Sequence, residues 1–238
     1  LRTEAIDGVL ERRGNRQFGY DLSQEEAISQ GIGIREGFAV GDGQRAPMPP
    51  TTLYSEPEVR RTIDGADILM VSAPGETEDQ IFIWLEDHKA LFCADDYLGT
   101  EPNLYAIRGG QYRDIAMWIE SLDRMLTYPA EALLPGHTMP ILGRDNVARI
   151  LGSFRDAIDY VLSETLACIE RGMGLEETVE AVRLPERFSV LPYLQEHYGT
   201  VAWSVRSIYT GYVGWFDGNP THLNPLPRRE YARRMGGM

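Results

Sequence analysis

The sequence is sparing with several residue types, and each shortage excludes something. Only two cysteines occur in 238 residues, Cys93 and Cys168. Both fall in apolar runs that read as buried strand and buried helix, so they read as small core hydrophobes, with a weak pointer to a reducing compartment. No pair of cysteines stands ready to form a Cys-rich structural metal site. Histidine is also scarce: there are four, and no two of them stand two residues apart. Lys and Arg total 23 against 36 Asp and Glu, a formal charge of −13. That balance argues against a nucleic-acid binder, which needs clustered cations for phosphates, and less strongly against docking on an anionic membrane. No apolar run approaches the roughly 18 residues of a membrane span. The chain opens at Leu1 with neither the basic head nor the apolar core of a signal peptide. It reads as a fragment or a processed chain, with any targeting signal upstream of Leu1.

What is present is ordinary for a globular protein: 43% hydrophobic and 25% charged residues. The length suits one large domain or one and a half smaller ones. Three regions separate by pattern. Residues 1 to about 60 are mixed, with a polar segment through Arg12, Arg13 and Arg16, a Gly-rich stretch from Gly31 to Gly43, and Pro47, Pro49 and Pro50. These glycines and prolines mark loops between short elements rather than a compact helix array. Strand signals begin near Thr62: Asp67–Ser72, then Gln80–Leu85 and Ala90–Ala94 as a hairpin about Glu86–Lys89. Ile115, Trp118, Leu122 and Met125 recur at helical spacing behind Asp114, and Glu131–Leu134 reads as a further short strand. This is the pattern of an α/β layered domain. After Gly143 a long helical stripe runs from Val147 to about Ile169, with Gly172 and Gly174 as its stop. Shorter helices follow at Leu175–Arg183 and near Val201–Tyr212. We place the boundary between the α/β and all-helical parts near residue 144.

Three short motifs stand at the ends of expected strands: Pro74-Gly-Glu-Thr77, Cys93-Ala-Asp-Asp96 and Pro135-Gly-His-Thr138. Each sets a carboxylate or imidazole in a turn after an apolar run, where a rigid sheet can aim it. Oxygen and nitrogen donors with one His suit zinc, manganese or iron. Alone, each motif is also what a helix cap, an Asx-turn or a surface loop would present.

Pro-Gly-Glu-Thr-Glu-Asp-Gln, Cys-Ala-Asp-Asp-Tyr, Asn103-Leu-Tyr-Ala-Ile-Arg-Gly109 and Tyr112-Arg-Asp114 resemble the second half of the alkylsulfatase branch of the metallo-β-lactamase superfamily. Tyr198-Gly-Thr200 and Gly214-Trp-Phe-Asp-Gly-Asn-Pro220 are similar to the helical dimerisation domain of that branch. The resemblance implies a partial metallo-β-lactamase αββα sandwich over residues 1–144, lacking one sheet, and a helical dimerisation domain over 145–238. It implies a binuclear zinc site to which Glu76, Asp95 and His137 would contribute, and Arg108 as the residue that holds a sulfate group, its planar fork meeting two oxygens. Asn103 and Tyr105 would line the pocket. Competitors stay open at this point: Glu78 or Asp79 for Glu76, Asp96 for Asp95, and a plain ion pair for Arg108. Arg113 and Asp114 read as a salt bridge at a helix start. His88 reads as solvated, and His197 and His222 as core or surface residues of the helical part. The branch's His-x-His-x-Asp-His motif, which supplies most of the zinc ligands, is absent, so this chain alone should be inactive.

These readings leave three functions to weigh: hydrolysis of alkyl sulfate esters to alcohol and sulfate, hydrolysis of another ester, phosphoester or lactam on the same metal site, and a non-catalytic dimerisation module. The apolar stripe of Val147–Ile169 motivates a homodimer through the helical part.

Overall fold

The computed structural model describes residues 6–19, 22–23, 25–26 and 49–236. The Gly-rich stretch and Pro47 lie outside the described residues, so the loops expected there are not in view. Six strands form one sheet in chain order: β1 (Glu58–Ile63), β2 (Ala66–Ser72), β3 (Ile81–Leu85), β4 (Ala90–Ala94), β5 (Ala132–Pro135) and β6 (Ile141–Leu142). Neighbours pair antiparallel except β4 and β5, which are parallel, Ala90 standing opposite Ala132. β2 and β4, each antiparallel to β3, therefore run in the same direction, and so does β5. Their carboxyl ends share one end of the sheet. That is where the three motifs lie.

Local chemistry explains the hairpins. Asp64 and Gly65 both take positive φ, 51° and 80°, as the tight Asp-Gly turns between antiparallel strands require. That signal was present in the sequence, yet β1 was not anticipated. Its residues are mostly exposed and carry Arg60 and Arg61, the mark of an edge strand kept from pairing further. The β3–β4 hairpin turns through Glu86–Lys89 as expected.

Behind the sheet packs α2 (Ile115–Leu126), which buries Ile115, Trp118, Leu122 and Met125. Asp114 caps it, its carboxylate accepting the Met117 N–H at 3.2 Å. Next comes α3 (Arg144–Glu170), at 27 residues about 40 Å long. It packs against α2 and α6 (Val201–Val213), with α4 (Leu175–Ala181) and α5 (Glu186–Ser189) between. Gly172, at φ 75°, turns the chain out of α3. Gly174 does not stop α3 as expected; it opens α4, its N–H donating to Glu177 at 2.9 Å. One hydrophobic cluster runs from Leu69, Val71 and Phe82 of the sheet through Trp118 to Phe154, Ile158 and Ile208 of the helices.

Two expectations change. The polar segment through Arg12, Arg13 and Arg16, for which no element was expected, forms a helix, α1 (Asp7–Phe18), closed by Gly19 in the left-handed region. The apolar stripe of α3 is consumed within the chain, since Val147, Leu151, Phe154, Ile158, Val161 and Leu162 are all buried. Exposed apolar side chains lie later, at Trp203, Tyr212, Trp215 and Leu223, and at Tyr231 and Met235 of α7 (Arg228–Gly236). Among the described residues no helix is long and apolar enough to cross a membrane.

Candidate metal and anion site

The three strand ends bring Glu76, Asp95 and His137 together. Two features of the backbone aim them. Ala94 and Thr138, flanking Asp95 and His137, are non-glycine residues at positive φ, 48° and 60°. Such conformations persist only where surrounding structure imposes them, and they gather at functional sites. The two turns are tied by the Gly136 N–H donating to the Ala94 carbonyl at 2.8 Å. Gly136 must also lack a side chain, because a Cβ there would stand 2.4 Å from Asp95 Oδ1.

Asp95 is the centre of the group. Its carboxyl is hydrogen-bonded to that of Glu76, and its Oδ2 lies 3.6 Å from His137 Nε2. Burial, then the bond to Glu76 and its charge, push Asp95 up to about 6, against the pull of His137 and Arg113. For Glu76 burial raises, but Arg113, Asp95, Asn103 and Arg108 together outweigh it and hold the carboxyl below its ordinary value. The first proton the pair takes up on acidification therefore goes to Asp95, and Glu76 stays ionised to lower pH.

Arg113 was expected to pair with Asp114. It does not. Asp114 caps α2, and Arg113 turns inward, 8% exposed, to donate to Glu76 Oε1 at 2.7 Å and to the Asn103 carbonyl. Adjacency in sequence misled here, because residues before and at a helix start project in different directions. Asn103, buried, approaches Glu76 Oε1 through Nδ2 at 3.4 Å, and its Oδ1 has no hydrogen-bond partner among the described residues. Arg108 is half-buried, acts on Glu76 by its charge, and hydrogen-bonds the Tyr198 hydroxyl. Tyr105 is not brought to the group. Its hydroxyl accepts the Thr200 N–H at 3.1 Å and its ring packs edge-on to Trp203.

The competing acids separate cleanly. Glu78 and Asp79 are exposed. Asp96 is fully buried under Gly75, facing the Glu76 backbone, and neither carboxylate oxygen has a partner within ordinary hydrogen-bond geometry. Burial, then the charges of Asp95 and Glu76, hold it up near 8. His88, His197 and His222 are exposed, and His222 pairs with Asp217 at 2.5 Å. A cavity of about 670 Å³ opens beside Glu76, lined also by Arg108, Arg113, Tyr112, Gln111 and Met117.

These contacts bear on whether the donor set suits a metal. Among the described residues no three His, Cys, Asp or Glu side chains are arranged to hold an ion by themselves; Glu76, Asp95 and His137 form a chain of contacts instead. With Arg113 and Arg108 acting on Glu76, three buried or half-buried carboxyls crowd one another there, and the raised values of Asp95 and Asp96 reflect burial and the cost of ionising them together, which a cation would lower. Carboxylate oxygens and an imidazole are suitable ligands for zinc-like ions. The residues fit one side of a metal centre.

The chain as a whole is similar to known proteins. Residues 175–238 match the family described as alkyl sulfatase dimerisation. A linear primary-alkylsulfatase of a Pseudomonas species is 36% identical over 232 residues, 97% of this chain and 43% of the relative. The chain is homologous to alkylsulfatases. An alkyl/aryl-sulfatase of Saccharomyces cerevisiae is 31% identical over 96% of the chain and 36% of its own length. The solved structure of a stereoselective inverting sec-alkylsulfatase from Pseudomonas superposes with a TM-score of 0.87 at 26% identity, covering 98% of this chain and 38% of that one. The expected fold class thus holds: a partial metallo-β-lactamase sandwich followed by a helical alkylsulfatase-type dimerisation part. The chain spans well under half the length of these relatives.

Proposed function

We propose that the protein to which this chain belongs is a zinc-dependent hydrolase of alkyl sulfate esters, and that this chain supplies one side of a binuclear site. The observation that carries the reading is the gathering of Glu76, Asp95 and His137 at one end of the sheet, with Asn103, Arg108 and Arg113 around them. Support comes from homology to alkylsulfatases over nearly the whole chain.

In this reading Glu76, Asp95 and His137 hold zinc. The chemistry that zinc held by these residues would supply is the acidification of a water, towards a pKa of about 7. The chain's own residues do the rest. Arg113 keeps Glu76 ionised and fixed, and its second bond ties that carboxylate to the Asn103 backbone. Asn103 offers an unpartnered amide oxygen, and its NH2 steadies Glu76. Arg108 presents a planar fork to two oxygens of a sulfate group, with Tyr198 orienting it. Tyr105 acts by packing. Residues 1–144 form the catalytic part and 145–238 the part that dimerises. The chain alone, lacking the His-x-His-x-Asp-His ligands, is inactive.

The test is release of inorganic sulfate from dodecyl sulfate by the full protein with zinc content measured in parallel. Release that is lost in His137→Ala and Asp95→Asn supports the reading. A filled zinc site with no sulfate released sinks the substrate and leaves another ester as the reading.

A further inference from the structure

We infer that α1 is a positioning element for Arg108, acting through Arg13. Four contacts carry the inference. Arg13 Nη2 donates to the Ile107 carbonyl at 2.7 Å, bridging 94 residues of sequence to reach the residue before Arg108. Gly14, buried in the middle of α1, lies against the aliphatic stem of Arg108; a Cβ there would stand 3.8 Å from Cδ, so any side chain longer than a methyl would displace that stem. On the far side of Arg108, Leu10 reaches over Gly109, which has φ 114° and whose Cβ position would lie 2.8 Å from Leu10 Cδ2. Finally, Gln17 Nε2 meets the Tyr198 hydroxyl at 3.3 Å, the same hydroxyl that Arg108 bonds.

Leu10, Arg13, Gly14 and Gln17 stand at i, i+3, i+4 and i+7, one face of a helix. That face touches the residue before Arg108, the residue itself, the residue after it and its partner. What separates this face from ordinary core packing is that its four contacts all converge on Arg108, its two chain neighbours and its hydroxyl partner. An arginine side chain loses considerable rotamer freedom when it is fixed on an anion. A helix that orders it beforehand lowers that loss, which is preorganisation.

The consequence for anion affinity rests on the reading of Arg108 as the sulfate holder. The ordering of Arg108 by α1 does not, so the two are tested apart. In the full chain, hydrogen exchange of the Arg108 Nε–Hε group is followed by nitrogen-15 NMR, with circular dichroism and Tm as controls. Arg13→Met removes the bond to Ile107 and should speed exchange about tenfold or more. Arg13→Lys, which restores a donor, should bring exchange back towards wild type. Gly14→Leu, which leaves the donors alone, should speed it as well. Unchanged exchange in both Arg13→Met and Gly14→Leu overturns the inference. Acceleration in Arg13→Met that Lys does not restore overturns the role of Arg13 as a donor. Titration with inorganic sulfate then reads the second arm: affinity about five- to thirtyfold weaker in Arg13→Met follows from lost preorganisation. If the wild-type chain binds no sulfate, the anion reading of Arg108 falls, while the exchange measurement still decides the role of α1.

Discussion

Gly65 and Gly75 stand near opposite ends of β2 and are glycine for different reasons. Gly65 has φ 80° and nothing within 4 Å of where a Cβ would be; its requirement is conformational and local. Gly75 is crowded instead: a Cβ would fall 1.9 Å from Asp96 Oδ1 and 3.1 Å from Trp118 Cδ1. Its requirement is steric and comes from the far side of the fold. The two ends of the sheet differ in the same way. At the hairpin end Asp64, Gly65 and Glu86–Lys89 are exposed and need only turn chemistry. Positive φ does not divide them, since Asp64 and Lys89 take it at the hairpin end as Ala94 and Thr138 do at the other. What sets the second end apart is the buried carboxyl of Asp96, whose oxygens have no hydrogen-bond partner among the described residues, beside the paired Glu76 and Asp95. One end needs only local turn chemistry. The other gathers buried acids from distant turns, which local rules do not ask for.

The contrast can be broken by substitution. The largest effect is expected from Arg113→Leu, which leaves the ionised Glu76 buried without its close guanidinium. Urea unfolding should show a loss of about 3–5 kcal/mol. Gly75→Ala must push Asp96 or the turn aside, and should lose about 2–3 kcal/mol together with zinc affinity measured by competition with a chelator. Next is Glu101, 2% exposed, with Oε2 unpartnered. Burial, then the charge of Glu196, hold its carboxyl up near 8. The folded state keeps a proton that the unfolded chain releases, so the contribution of Glu101 to stability is full below about pH 4.5 and is lost as pH rises towards 8. Glu101→Gln should flatten that decline by about 1–2 kcal/mol between pH 5 and pH 8, read from unfolding midpoints at each pH. Smallest is Gly65→Ala, about 1 kcal/mol of backbone strain, with zinc affinity unchanged. A loss of zinc affinity there would remove the distinction between the two ends.

How much of this was legible in the sequence follows the same division. The hairpin of Gln80–Ala94, the helix behind Asp114 and the long helix after Gly143 announced themselves, because their apolar period, caps and turns are local signals. The three turns that hold Glu76, Asp95 and His137 could be picked out because each follows an apolar run, though choosing those residues within the turns needed the family resemblance. Arg113 could not be placed, since nothing in a sequence says that a residue beside a capping aspartate turns inward to a carboxylate on another strand. Tyr198 and Gln17 were hidden for a related reason: they meet Arg108 from segments distant in the chain. α1 was missed because its sequence is dominated by charged and amide residues, and the face it buries is only Leu10, Gly14 and Gln17 wide. The α3 stripe was seen, but its buried members pack within the chain, and support for a dimer comes instead from the match of residues 175–238 to an alkyl sulfatase dimerisation family.

The parallel pairing of β4 with β5 also sets an order of events in time. A hairpin such as β3–β4 closes within microseconds once its turn forms. β5 can reach β4 only after the connection from Asp95 to Glu131 has been drawn in, with α2 formed and seated on the sheet; pairings so far apart in sequence are slow to close. The same connection carries Asn103, Arg108 and Arg113. During folding, then, the carboxylates of Glu76 and Asp95 meet their guanidinium and their histidine late, when most of the sheet is already in place.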